Sequence, residues 1–323
     1  MRLACFLIIL SLSLFTGPVY PIAVPYPVIF VHGTGDSSVA WKTTGSDISR
    51  YLDKYYKTSS HPYFSSGSGI GADRFEKDFL DNTRNSCVYL VFSDHFASPD
   101  KLVNELKKVI DDTREEAWSN FKDYFATKED VKVNLVCHSM GGLVARKYLV
   151  DNMKDHHVSK LILMGTPNKG ISGLKLEWVP VGLMAGGGAA FLLSSNPLFL
   201  VVSAVGIGGY AVSYARGVQL LSPANSAMKP DSTFLKDLNS RSMPFDVDYV
   251  VILCSADDFM HEAANVILGY KDGDGAISID SQSLRYCSIP DFKEVHYKEL
   301  YIKSPHFEEP ARGTIAVIEA LGL

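Results

Sequence analysis

Ser139 stands in the run VKVNLVCHSMGGLVARKYL, residues 131–149, between an apolar β-type stretch and a helical one. That setting suits nucleophilic catalysis. A serine on a tight strand-to-helix bend is held in a strained backbone conformation with its hydroxyl projecting above the sheet. Such a bend crowds the positions two before and two after the serine, so both call for small side chains. Gly141 meets this requirement and Gly142 adds slack, while Cys137 stands where a glycine is expected and is close in size to alanine or serine. A helix beginning near Met140 would aim its N-terminal amides and the positive end of its dipole at the point where an oxyanion forms.

A serine nucleophile needs a base, and the base needs an acid to orient it. Of the nine histidines, His138 adjoins Ser139 and its side chain must diverge from it, so it reads as a bystander, as does Cys137. His306, in YIKSPHFEEP, follows the last β-type run in a loop that can lie over the sheet near Ser139, and it is the expected base. Two loops offer the acid. GYKDGDGAIS (269–278) carries Asp272 and Asp274 before His306, whereas Asp257 and Asp258 directly follow VVILC. Either loop gives the chain order Ser, Asp, His. Asp274 is preferred and Asp257 is the alternative. For the oxyanion, one donor is the amide of Met140, and the other is the N–H of Thr34 in HGTGDSS (32–38), where glycines let the backbone turn tightly.

The elements that must position these residues alternate apolar β runs with helical segments. The strand expectations are 26–33, 87–94, 131–139, 158–165, 248–255 and 295–303. Nearly continuous Val, Ile, Leu and Tyr in most of them is what strands buried on both faces need, so the fold class is α/β, with a mostly parallel sheet and helices on both faces. Between the second and third strands, Ser98 and Pro99 form a helix start. Leu102, Leu106, Val109, Ile110, Ala117, Phe121 and Phe125 then recur at mixed three and four spacing as one apolar, core-facing stripe.

The chain has 323 residues, 46% hydrophobic, enough for one large α/β domain or two small ones. Its net charge of −5, with no Lys/Arg block, argues against nucleic-acid partners, because neutralising phosphates takes clustered cations. The opening residues carry one Arg, an apolar run from Leu3 to Phe15 and then Gly17 and Pro18. That run is short for a membrane span, so residues 1–23 read as a cleaved secretory signal and the mature chain as secreted or extracytoplasmic. Its removal leaves Cys87, Cys137, Cys254 and Cys287, an even number that permits disulfides but fixes no connectivity; Cys137 and Cys254, at the ends of expected central strands, read as small buried residues, and Cys287 is the best placed to pair. From Trp178 to Ala215 there is no Asp, Glu, Lys, Arg or His. This glycine-rich apolar segment reads as a lid rather than a core hairpin or a membrane span. No cofactor is implied. Glu308 is a conceivable calcium ligand, but no dense array of oxygen ligands surrounds it, and no metal is expected.

FVHGTG, LVCHSMGGLVARKYL, LMGTPNKG, SAMKPDSTFLKDLN, DGDGAIS and PHFEE occur in the order seen in lipases of the α/β-hydrolase superfamily, and the chain resembles bacterial-type triacylglycerol lipases over most of its mature length. The resemblance implies an α/β-hydrolase domain over 24–323 with a lid or cap insertion at about 171–230. It also implies Ser139 as nucleophile, Asp274 as acid, His306 as base, and the amides of Thr34 and Met140 as oxyanion donors. The expected substrate is a lipid ester, met at a transient lipid interface. An acyltransferase or thioesterase would use the same residues, since only the acceptor differs. A membrane-binding protein without turnover would have no use for the intact set. The motifs specify no oligomeric state.

Overall fold

The computed structural model describes residues 26–36, 38–48, 87–122, 125–171 and 222–323. Residues 1–23, and most of the expected 171–230 insertion, lie outside the described residues. The strands are β1 (Val28–Val31), β2 (Cys87–Leu90), β3 (Val133–His138), β4 (Val158–Met164), β5 (Asp248–Ser255) and β6 (His296–Lys303). Each falls within its expected segment. All neighbours pair parallel in the order β2-β1-β3-β4-β5-β6. β1 to β4 and all of β5 after Asp248 are almost wholly buried. β6 alternates exposed and half-buried residues, as an edge strand with one wet face does.

The helices are α1 (Pro99–Phe121), α2 (Met140–Asp151), α3 (Pro223–Ala227), α4 (Thr233–Asn239), α5 (Phe259–Ile267), α6 (Ile279–Gln282), α7 (Glu309–Arg312) and α8 (Thr314–Leu321). α1 begins at the expected Ser98–Pro99 start, but the Ser98 hydroxyl donates to the Asp100 carboxylate instead of capping a backbone amide. An acid two residues on outcompetes the helix for that hydroxyl. Leu102, Leu106, Val109, Ile110 and Ala117 are buried, which makes the stripe core. α1 packs on α2, which is buried at every position except Lys147 and Asp151.

Because every strand runs the same way, the chain leaves all six at one edge of the sheet. Chain order reverses between β1 and β3, and open α/β sheets form their ligand crevice at such a switch point, beyond the carboxyl ends of the strands. The residues leaving β1 and β3 there are His32–Thr34 and Ser139.

The cysteines correct an expectation. Cys87, Cys137, Cys254 and Cys287 are all free thiols, Cys287 included. Burial pushes the Cys137 and Cys254 thiols far up, so they behave as small core residues. Core packing rather than crosslinks holds the sheet. Leu106→Ala, at a wholly buried α1 position, should therefore lower the unfolding free energy by about 2–5 kcal/mol, read as a lower urea midpoint at unchanged slope.

Candidate active site

Ser139 follows the last residue of β3 with φ 51° and ψ −127°, a positive-φ conformation that non-glycine residues rarely hold. Its neighbours impose it. The Ser139 amide donates to the Met164 carbonyl at the end of β4 (3.0 Å), and the Gly142 amide donates to the Ser139 carbonyl (3.1 Å). The two glycines after it are both required by contact. A Cβ on Gly141 would stand 2.5 Å from the His32 carbonyl oxygen, and one on Gly142 2.1 Å from Thr166 Oγ1. Gly142 is therefore tightly packed and supplies no slack.

The expected base and acid arrive from the far end of the sheet. β6 ends at Lys303, and His306 opens a short 3₁₀ turn, His306–Glu308, with its amide donating to the Asp274 carbonyl (3.0 Å). His306 Nε2 lies 3.0 Å from Ser139 Oγ, and His306 Nδ1 lies 2.9 Å from Asp274 Oδ2. With Nδ1–H donating to Asp274, Nε2 is left to accept the serine proton. All three residues are buried. Asp274 Oδ1 accepts the amides of Ala276 (2.8 Å) and Ile277 (2.7 Å), and Oδ2 also accepts Gln282 Nε2 (3.1 Å). Those donors favour the ionised carboxylate, against burial, which pushes the Asp274 carboxyl up.

The alternative acid is not brought to the base. Asp257 is paired with Arg312 at the surface, and Asp258 caps α5 by accepting the amides of Met260 and His261 (both 3.0 Å). Asp272 accepts the Ser255 hydroxyl (2.8 Å). Glu308 pairs with Arg312 (2.6 Å), half-exposed, and forms no ligand group.

Thr34 and Met140 meet beside Ser139, where the Thr34 hydroxyl donates to Met140 Sδ (2.8 Å). The Met140 amide lies in the first turn of α2, where no carbonyl four residues back is available to it. Gly33 passes so close that a Cβ on it would stand 2.7 Å from the Ser139 Cβ. His32 pins this loop. Its Nε2 accepts the Phe92 amide (3.2 Å), so Nδ1–H donates to the Gly33 carbonyl (2.7 Å), and burial holds its pKa down at about 3, which keeps the ring neutral.

Three contributors escaped the sequence reading. Gln282, wholly buried, donates to the Cys254 carbonyl (2.9 Å), the Ile277 carbonyl (3.1 Å) and Asp274, while its Oε1 accepts the Cys254 amide (2.7 Å). Asn265 brackets the acid loop through the Gly273 carbonyl (2.8 Å) and the Gly275 amide (3.0 Å). Nothing local in the sequence marks either residue. Glu309 is the third. It is wholly buried, with Oε1 3.5 Å from His306 Nδ1 and Oε2 3.2 Å from His138 Nε2; the doubled acid of PHFEE was its only trace. His138 is no bystander either. Its Nε2 lies 3.0 Å from the His306 carbonyl oxygen, and the two rings stand 4.8 Å apart. Among the described residues, His138, His306 and Glu309 are the one close group of metal-type donors, their atoms within 4.8 Å of one another.

Burial works against the charged form of His306, yet the Asp274 and Glu309 carboxyls outweigh it and raise its pKa well above the ordinary value. For Glu309, burial pushes upward, but the His306 charge and the His138 contact hold its carboxyl below the ordinary range.

Residues 24–179 match the PGAP1-like alpha/beta domain family, and residues 107–267 match a domain of unknown function, DUF7379. The mature form of the Bacillus licheniformis lipase BlEst2 superposes with a TM-score of 0.51 at 18% identity, covering 94% of each chain. The chain has the α/β-hydrolase fold. The propeptide form of BlEst2 gives 0.50 at 16% identity over 94% of this chain and 51% of that longer chain. No curated protein matches it. This lipase/esterase-like fold supports ester hydrolysis.

The approach of Gly33 to Ser139 gives a test that needs no substrate. Gly33→Ala should slow labelling of Ser139 by a fluorophosphonate about 100-fold, because the new methyl must displace the serine or the loop. Mass spectrometry of the labelled peptide reads the rate, and an unchanged rate would show that the loop yields freely.

Proposed function

We propose that the protein is a serine carboxylic ester hydrolase acting on acyl esters of lipids. The observation that carries this reading is the continuous chain of contacts from Ser139 Oγ through the His306 ring to Asp274, buried at the C-terminal edge of the sheet. His306 Nε2 takes the hydroxyl proton as Ser139 Oγ bonds to the ester carbonyl carbon, and the Thr34 and Met140 amides receive the oxyanion. Collapse breaks the bond to the leaving alcohol, which takes the proton from Nε2. Water then repeats the sequence on the acyl-enzyme, giving up a proton to His306, and releases the carboxylic acid and free Ser139.

A lipid-like acyl group is supported by the pocket beside Ser139, whose lining includes Ile171, Met228, Ala276, Ile277 and Phe307. Ile171 and Met228 are hydrogen-bonded to each other (2.9 Å) and lie on either side of the uncharged 178–215 segment, which suits a lid over this pocket. The mature chain acts outside the cytoplasm, after loss of residues 1–23, and meets its substrate at a lipid surface.

p-Nitrophenyl esters of increasing chain length test the reading, with and without an emulsified interface. Turnover should rise with chain length and with interface, and Ser139→Ala should lower kcat by at least about 10⁴-fold. Activity retained in Ser139→Ala would remove the nucleophile. The pH profile is a second test. A base with a raised pKa is protonated and unable to accept a proton below that pKa, so kcat/KM should rise through a limb placed above pH 6.5. A limb at or below 6.5 would contradict the charge balance around His306.

A further inference from the structure

Beside His306 stands a buried carboxyl to which the proposed reaction gives no task. Glu309 opens α7 three residues after His306 and is wholly shielded from solvent. Neither of its oxygens receives a hydrogen bond of good geometry; its approaches are to the two histidines, at 3.5 and 3.2 Å. A carboxylate in such a place is strongly disfavoured unless positive charge faces it. The fold makes room for it at one point. Gly165, at the end of β4 with φ 53°, lies so close that a Cβ there would stand 1.9 Å from Glu309 Oε2. Any other residue at 165 would push the carboxylate off the histidines.

We propose that Glu309 is a positioning residue for the base, a second buried carboxylate which, braced by His138, acts beside Asp274 to hold the His306 ring and to stabilise its protonated form. The proposal rests on the reading of His306 as the base. As the serine proton reaches Nε2, the ring becomes an imidazolium whose Nδ1–H stays with Asp274. No proton passes to Glu309. Its charge, 3.5 Å from Nδ1, acts only by attraction, so it favours the transition state in which the imidazolium forms.

The groups that face Glu309 are few. His306 precedes it on the same turn, His138 reaches it from the end of β3, Cys254 from the end of β5, and Asp274 lies across the His306 ring. Cys254 stays protonated, because burial and the two carboxyls push its thiol far up. Asp36 stands beyond His138, 3.9 Å from its Nδ1, at the pocket wall. Arg312, on the same helix, is occupied at the surface by Asp257 and Glu308. The imidazolium of His306 is thus supported by two carboxylates where the proposed reaction needs one.

The test measures the His306 titration directly, by ¹⁵N NMR of histidine-labelled protein in the Ser139→Ala background, so that no turnover is needed. Adding Glu309→Gln should lower the His306 pKa by about one pH unit or more, as loss of an opposite charge at this distance does. In the catalytically intact chain, the acid limb of kcat/KM should move to lower pH by the same amount while the plateau kcat falls. A merely structural role would reduce kcat and leave the limb where it was, and an unchanged His306 titration overturns the proposal. Should Glu309→Gln fail to fold, Asp274→Asn in the same labelled protein decides. With Asp274 neutralised, burial alone would drive His306 below 6.5, so a value still above 6.5 assigns the support to Glu309 and one below it refutes that. If the NMR shift appears and no ester is hydrolysed, the placement of Glu309 stands and the reading of the reaction falls.

Discussion

The site depends on one backbone conformation, that of Ser139 at φ 51°. A non-glycine residue there is disfavoured by on the order of 1–3 kcal/mol, and it persists only where the surroundings over-determine it. Here they do so from three elements. β4 accepts the serine amide, α2 returns an amide to the serine carbonyl, and the chain leaving β1 passes so near that Gly33 and Gly141 have no space for a side chain. The parallel pairing of β1, β3 and β4 makes this possible, because it brings the three carboxyl ends to one edge in register. A slip in that register would relax the bend and lower the hydroxyl toward the sheet.

Given a fixed serine, the remaining difficulty is electrostatic. In the proposed reaction His306 must be neutral to accept a proton, yet its charged form must be favoured once the proton arrives, and both must hold in a buried site. Burial by itself would leave the imidazolium too unstable to form. Asp274, whose carboxylate accepts two amides and Gln282 against the upward push of burial, faces the ring and orients its Nδ1–H. The fold thus spends a buried loop and a buried glutamine on orienting one carboxylate. Gln282 also spans the end of β5 by a pair of bonds to Cys254, so the acid loop is tied to the same sheet that carries the serine.

The fold, and the meeting of Ser139, His306 and Asp274, were legible because both rest on local signals. Each strand was an apolar β-type run, and Ser139, Asp274 and His306 each sat in a short motif whose turn chemistry is local. The choice of Asp274 over Asp257 could not be read from chain order. It depends on Arg312 drawing Asp257 to the surface, a contact between residues 55 positions apart. Gln282, Asn265 and Glu309 were invisible for the same reason: their roles exist only after β5, β6 and the acid loop have come together. The expected cysteine pairing failed because parity counts thiols and says nothing of distance. Cys137 and Cys254 are wholly buried in β3 and β5, as their reading as small core residues expects.

The residue beside the serine shows how far local reasoning reaches. A side chain next to a nucleophile on a bend does point away from it, as the geometry of adjacent residues requires, and His138 cannot act on the Ser139 proton. Pointing away from the serine, however, directs it into the space behind His306, where it meets the His306 carbonyl and Glu309. Its ring therefore bears on the base through the base's own backbone. The divergence that excludes His138 from direct chemistry is what places it in the shell that holds the base, and the wall behind a catalytic ring is built by residues that a search for reacting groups discards.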